Sequence, residues 1–304
     1  MKNLIISIIV AIIGFGLGYW GANSNIWAGF PAAIFAFSVC YFILARRSFK
    51  KFSGLSQTAM ERMQGIQNAQ DPSQQLGLID QTITIFEEGF VIAKEQFMVS
   101  PMLHAQIGSM HYQCAGLLLQ MRTVEDIKGN VGKASKLKSQ ASDRFAQAKK
   151  HLSVLLKHPW QLKVTKQWQP LTMLAIQENR EGNKDKCLEI LKSIESAGSD
   201  DPLFFGIYGW LLMNNKQNND ALLVVSDGSD KHKNHQPLKE MKLALQNKKT
   251  VDIFPFGQNW FAFFPEQLDR NMMMRMQQQM MANNPEQAKQ FNRAQRRAFK
   301  KRGK

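Results

Sequence analysis

LTMLAIQENREGNKDKCLEIL, residues 171–191, and FGIYGWLLMNNKQNNDALLVV, residues 205–225, superimpose at an offset of 34. Leu171, Leu174, Ala175, Cys187 and Leu191 of the first fall on Phe205, Tyr208, Gly209, Ala221 and Val225 of the second. The shared pattern is large-x2-large-small, a small residue twelve positions on, and an apolar residue four beyond that. Residues three and four apart lie on one face of a helix, so each stretch reads as two amphipathic helices joined by a polar turn. Small residues let the two antiparallel helices approach, and the large ones bury the seam with a neighbouring hairpin. One position breaks the match: Gly182, in the turn, falls on Lys216.

Working outward, residues 52–249 are amphipathic helical segments with little strand-like alternation. Polar breaks occur at Asp71-Pro72, Ser100-Pro101, His158-Pro159, Gly182-Asn183, Asp201-Pro202 and His235-Gln236-Pro237. Proline is tolerated in a first helical turn and favours a start there. Ala148-x3-Leu152-x2-Leu155 reads as the second helix of an earlier unit. Ile107-Gly108 with Tyr112 reads as another first helix, followed by a polar stretch over 128–142. Leu243-Ala244, 35 residues after Tyr208-Gly209, reads as the first helix of a later unit. The expectation is three to four hairpins.

The 34-residue pattern resembles the tetratricopeptide (TPR) repeat. The chain as a whole resembles a group of uncharacterised bacterial membrane-anchored TPR proteins. The matching stretches are Ala105-Gln106-Ile107-Gly108, Leu171-Thr172-Met173-Leu174-Ala175, Tyr208-Gly209-Trp210, Ala244-Leu245-Gln246-Asn247 and Trp260-Phe261-Ala262-Phe263. The resemblance covers most of residues 1–265 and brings no biochemical activity with it. It implies an all-α fold with a two-helix anchor and an α-solenoid whose first helices line a partner-binding groove.

The anchor is also read directly from the residues. LIISIIVAIIGFGLGYW (4–20) and IWAGFPAAIFAFSVCYFILA (26–45) carry no charged side chain. Each approaches the ~20 residues that cross a hydrocarbon core, and a five-residue connection allows only an antiparallel pair. Lys2 precedes the pair, and Arg46, Arg47, Lys50 and Lys51 follow it, while the connection is uncharged. The positive-inside rule then puts both termini in the cytoplasm, with Trp20 and Trp27 at the outer interface. Gly14 and Gly18, with Ala32, Ala33 and Ala36, permit close helix packing within the pair or between copies. A cleaved signal peptide is the alternative for residues 1–22, but Trp20 stands where the cleavage site wants a small residue.

The net charge of +15 is uneven, with +5 in residues 1–53, +4 in 54–251 and +6 in 252–304. The middle therefore has the balance of an ordinary soluble domain. Three cysteines with no close pair exclude a disulfide-stapled secreted fold. No phosphate loop, HExxH, CxxC or GxSxG occurs. His104, His111 and Cys114 share one helix face and form a candidate metal triad, or simply line a helix seam. His151 and His158 are also seven apart; Cys187 fits packing, and Cys40 lies in an apolar run. The adjacent acids Glu87-Glu88 and Asp200-Asp201 do not converge on one substrate. No catalytic, cofactor or metal residue is assigned, and the chain reads as a non-enzyme.

VDIFPFGQNWFAFF (251–264) reads as the cover of a terminal repeat, or as a binding patch or a contact with the nearby bilayer surface. Residues 272–281 hold Met272, Met273, Met274, Met276, Met280 and Met281, which suit either an adaptable apolar surface or a low-complexity tail. Lys289, Arg293, Arg296, Arg297, Lys300, Lys301, Arg302 and Lys304 would attract an anionic leaflet or ribosomal RNA, or remain solvated. The expected organisation is an anchor (1–53), a repeat domain (54–250), an aromatic cap (251–265) and a basic tail (266–304). The expected function is a multi-pass inner-membrane scaffold that holds a protein partner at the cytoplasmic face. The alternative is a membrane-biogenesis factor that holds ribosomes or RNA through its tail.

Overall fold

The computed structural model describes residues 2–23, 26–69, 71–95, 99–157 and 167–268, together with Met272 and Arg275. It is 86% helical, with no strand among the described residues. The eight tail cations from Lys289 to Lys304 and His158 lie outside the described residues. The chain divides into two units, Met1–Ala115 with Ser142–Gly198, and Gly116–Ala141 with Ser199–Lys304.

In the first unit, α1 (Lys2–Gly21) and α2 (Ile26–Asn68) pair, and each is long and apolar enough to cross a membrane. A Cβ on Gly14 would lie 2.8 Å from the Ala36 Cβ, and one on Gly18 would lie 2.7 Å from the Ala32 Cβ. Gly14 and Gly18 thus serve the close approach of α1 and α2 to each other. α2 continues without interruption past residue 53, so the chain has no structural break between anchor and body. Beyond the apolar run it becomes amphipathic and packs against α3 (Pro72–Glu88). Ile79, Thr82, Ile83 and Phe86 form the buried stripe of α3, at the i, i+3, i+4, i+7 spacing of one helix face. A four-residue helix, α4 (Phe90–Ala93), follows.

Two long helices come next, α5 (Val99–Ile127) and α6 (Val131–Leu152), each contributing to both units. In the first unit a Cβ on Gly108 would lie 2.7 Å from Leu152 and 3.3 Å from the Ala148 carbonyl oxygen. Gly108, read from sequence as part of a first helix, and Ala148-Leu152, read as part of a second helix, are therefore partners in one hairpin. Their separation of 40 residues reflects long helices and not an intervening unit. The polar stretch 128–142 is mostly the first half of α6. The first unit closes with α7 (Gln169–Arg180), α8 (Lys184–Ser193) and the short α9 (Glu195–Gly198).

The second unit contains α10 (Pro202–Asn214), α11 (Asn218–Lys231), α12 (Gln236–Gln246) and α13 (Gln258–Phe263). Asp201 caps α10 by accepting from the Leu203 N–H at 2.9 Å, satisfying one of the helix's orphan donors. Asn218 is the first residue of α11, one place past the turn. α12 corrects the sequence register. It buries Leu238 and Met241 while Leu243 stays 57% exposed, so the matching frame is offset by 33 and not 35. Leu243-Ala244 reproduced the large-small signature on the wrong face.

Candidate functional site

All ten residues of the 34-residue pattern, Leu171, Leu174, Ala175, Cys187, Leu191, Phe205, Tyr208, Gly209, Ala221 and Val225, are buried. In the second unit a Cβ on Gly209 would lie 2.2 Å from Val225 Cγ2 and 3.5 Å from the Ala221 carbonyl oxygen, so α10 and α11 meet there backbone to backbone. The Met241 Cε of α12 reaches the same spot at 3.4 Å.

The hairpins share one turn. Gly129, Gly182, Lys216 and Lys248 adopt positive φ of 78°, 87°, 64° and 51°. At each, the next residue's N–H donates to the carbonyl five residues earlier: Asn130 to Glu125, Asn183 to Glu178, Gln217 to Leu212 and Lys249 to Ala244, at 2.9–3.0 Å. This is the Schellman closure of a helix C-terminus. The mismatch of Gly182 with Lys216 is thus one of residue type and not of conformation; the lysine occupies a region that disfavours side chains with a Cβ.

Two of these turns also repeat a side-chain motif, Glu-x3-Gly-Asn-x2-Lys, at 125–133 and 178–186. The asparagine Nδ2 donates to the glutamate Oε2 at 2.7 Å in both, and the lysine pairs with Oε1, Lys133 at 3.2 Å and Lys186 at 2.7 Å. Hydrogen bonds from Asn130 and Lys128 hold Glu125 down at about 2. Burial pushes the Glu178 carboxyl up, but hydrogen bonds from Lys186, Asn183 and Lys149 outweigh it, leaving it below its ordinary value. Lys149 also pairs with Glu181. Full burial of Glu178 is tolerable because its charge is paired and its lone pairs are filled. The recurrence was present in the sequence, 53 residues apart, and a search for a 34-residue period passes over it.

The histidines meet across α5 and α6 in the first unit. His104 Nδ1 and His151 Nδ1 are 3.1 Å apart, one donating to the other, and the rings of His111 and His151 are 5.8 Å apart. Arg144 Nη1 stands 3.3 Å from His111 Nδ1, and Arg144 Nη2 pairs with Asp80 at 2.7 Å. Burial, with Arg144 and His151 adding repulsion, brings His111 down to about 4, so it is neutral at pH 7. Burial pushes the Cys114 thiol up to about 12, and the guanidinium beside the cluster opposes a cation. Among the described residues no group of three or more His, Cys, Asp or Glu could hold a metal ion. His104 and His111 face His151 of α6, the neighbour that spacing within α5 misses, and Cys114 is buried. Of the acid pairs, Asp201 is a helix cap, and Glu87 and Glu88 are exposed at the end of α3.

In the second unit the aromatic segment lies on α10 and α5. A Cβ on Gly206 would meet the Phe256 ring at 2.6 Å, and one on Gly116 would meet Pro265 at 3.3 Å. The Trp210 ring stands 5.9 Å from Trp260 and 4.7 Å from Phe264, and His235 stands 5.8 Å from Phe256. Trp260 Nε1 donates to Gln267 Oε1 at 2.8 Å, which satisfies the one polar atom of a fully buried ring. Gly206 and Trp210 belong to a first helix, the kind of face that was expected to line a binding groove. Arg275 continues the arrangement, 4.2 Å above the Phe254 ring and 3.3 Å from Asp252. No family model, curated protein or solved structure matches the chain.

Proposed function

We propose that the chain is a membrane-anchored scaffold of TPR type, which holds a partner protein at the cytoplasmic face of a bacterial inner membrane. The observation that carries this reading is the recurrence of one Schellman turn at the ends of α5, α7, α10 and α12, three of them closing hairpins, in two of which a glycine brings the helices together. Repeated helical hairpins present extended side-chain surfaces suited to protein partners. The unbroken α2 supports attachment of that surface to the anchor. Cations on the flanks of the hairpin support cytoplasmic termini.

Two experiments test the reading. For topology, a single cysteine at Ser24 or Ser56, in a chain without native cysteines, is exposed to an impermeant thiol reagent on cells with a permeabilised outer membrane. Labelling at Ser24 alone is expected; labelling at Ser56 would move the body across the membrane. For partnership, the full chain is purified in detergent and its co-purifying proteins are identified by mass spectrometry. One stoichiometric protein retained at high salt supports the scaffold. Ribosomal proteins lost at high salt would instead support a polyanion-holding tail built on Lys289–Lys304.

A further inference from the structure

We propose that the base of the helical hairpin is a docking collar for anionic phospholipid headgroups, built from the basic turn of α2 and from α4 with its following residues. The proposal rests on the membrane-spanning reading of α1 and α2.

The first N–H groups of a helix have no intrahelical partner. In α1 those of Lys2 and Asn3 donate to the carbonyls of Lys94 and Glu95, each at 3.2 Å. Buried side chains make the same link. Asn3 Nδ2 donates to Ser48 Oγ at 2.9 Å and to the Leu44 carbonyl at 3.3 Å. Ser48 Oγ donates to Glu95 Oε2 at 3.0 Å, and Lys51 Nζ donates to Glu95 Oε1 at 2.8 Å. The residues that follow α4 are thus fixed level with Ser48–Lys51, within the first two turns beyond the apolar run that ends at Ala45.

Phe49, within that level, is 68% exposed, and Val91, three residues before Lys94 in α4, is 67% exposed. Phe49 continues a stripe at seven-residue spacing with exposed Phe35 and Phe42, so the lipid-facing side of α2 runs on past Arg46 and Arg47. Phe49 lies four residues beyond Ala45, ~6 Å along the axis, within the ~5–10 Å depth at which apolar groups settle among headgroups. Around them stand Lys2, Arg46, Arg47, Lys50 and Lys94, all exposed. Glu95 is the acid of this layer, and its hydrogen bond from Lys51 holds it below its ordinary value. Glu87 and Glu88, at the end of α3, are the nearest further acids in the chain and leave cations in excess. Apolar side chains ringed by positive charge, continuous with lipid-facing helices, fit an anionic bilayer surface.

The test uses the full chain carrying Cys40→Ala, in nanodiscs of neutral lipid and of neutral lipid mixed with anionic phosphatidylglycerol. Spin labels are placed singly at Val91→Cys, Ile12→Cys and Val131→Cys, and their collisions with oxygen and with a water-soluble nickel chelate are measured. The expected result in anionic discs is a several-fold lower chelate accessibility at position 91 than at 131, with oxygen accessibility retained. The difference should shrink in neutral discs and in an Arg47→Gln/Lys50→Gln chain. Chelate accessibility at 91 equal to that at 131, or equal protection in both disc types, overturns the proposal. A label at 91 shielded from both collision partners would assign the patch to a protein contact and also overturn it. Failure of the membrane-spanning reading is separate: it would appear as chelate access at position 12.

Discussion

Replacing Gly209 with alanine adds one methyl group at the closest approach of α10 and α11. The new Cβ would start 2.2 Å from Val225 Cγ2, more than an ångström inside the ~3.5 Å at which carbon atoms rest. Val225 is fully buried, and a β-branched side chain in a helix has one strongly preferred rotamer. The two helices must therefore separate. Overpacking of this kind costs about 1–3 kcal/mol, and the tight geometry argues for the upper end. Alanine in place of glycine in a helix returns about 1 kcal/mol, so the net loss should be about 2 kcal/mol. Val225→Ala alone removes two buried methyl groups and should also cost about 2 kcal/mol. In the double variant the methyl group added at position 209 would occupy the vacated space, so the combined loss should fall well short of the sum, by about 2 kcal/mol of coupling. Urea unfolding of the full chain in detergent, followed by tryptophan emission, is the assay; Trp210 and Trp260 lie in the same unit. Gly77→Ala is the control, because nothing lies within 4 Å of a Cβ at that exposed position of α3. If Gly209→Ala shifted the midpoint no more than Gly77→Ala, or if the two losses simply added, the close-packed hairpin would be refuted.

Three further outcomes are expected. Lys216→Gly should raise stability by about 0.5–1 kcal/mol, because relief of a left-handed backbone outweighs the entropy of an added glycine; a fall in the urea midpoint would contradict the φ of 64°. Asn183→Ala should cost about 1–3 kcal/mol by removing a hydrogen bond from a buried carboxylate, whereas Asn218→Ala, at an exposed first helical position, should be far milder in the same assay. His111 takes up a proton near 6.5 when unfolded and near 4 when folded. Between those values the unfolded state holds more protons, so stability must fall as pH drops from 6.5 towards 4, by at most about 3 kcal/mol from this group. His111→Gln should flatten that part of the pH profile, and an unchanged slope would exclude the assignment.

The helical hairpin was legible at α10 and α11 because helix periodicity forces large and small residues onto fixed spacings, and nothing in that pair departs from the standard length. The same rule could not join Gly108 to Ala148 and Leu152, since helix lengths of 29 and 22 residues stretch the interval far beyond a repeat. It also misplaced α12, where Leu243-Ala244 mimics the pattern on an exposed face and Leu238 and Met241 do the packing. Left-handed turns are visible only where glycine marks them, so Gly129 and Gly182 could be read but Lys216 and Lys248 could not. The histidine seam is a tertiary matter: His151 arrives from α6, and no spacing within α5 announces it.

A body tied to a bilayer by a loose tether sweeps a volume and meets its partners at any height within reach. On the proposed reading the continuity of α2 limits that freedom for the helices that pack on it. From Arg46 to the end of the helix at Asn68 there is about 35 Å of rod, at 1.5 Å for each residue. On the proposed reading, elevation and heading are therefore written into a residue count. One residue inserted in this rod would shift α3, which packs on it, by ~1.5 Å along the axis and ~100° around it, against the hydrogen bonds that hold Lys94 and Glu95 at its base. A partner would have to come to that altitude and face that bearing, so the register of the rod, as much as any surface residue, would decide what the protein can hold.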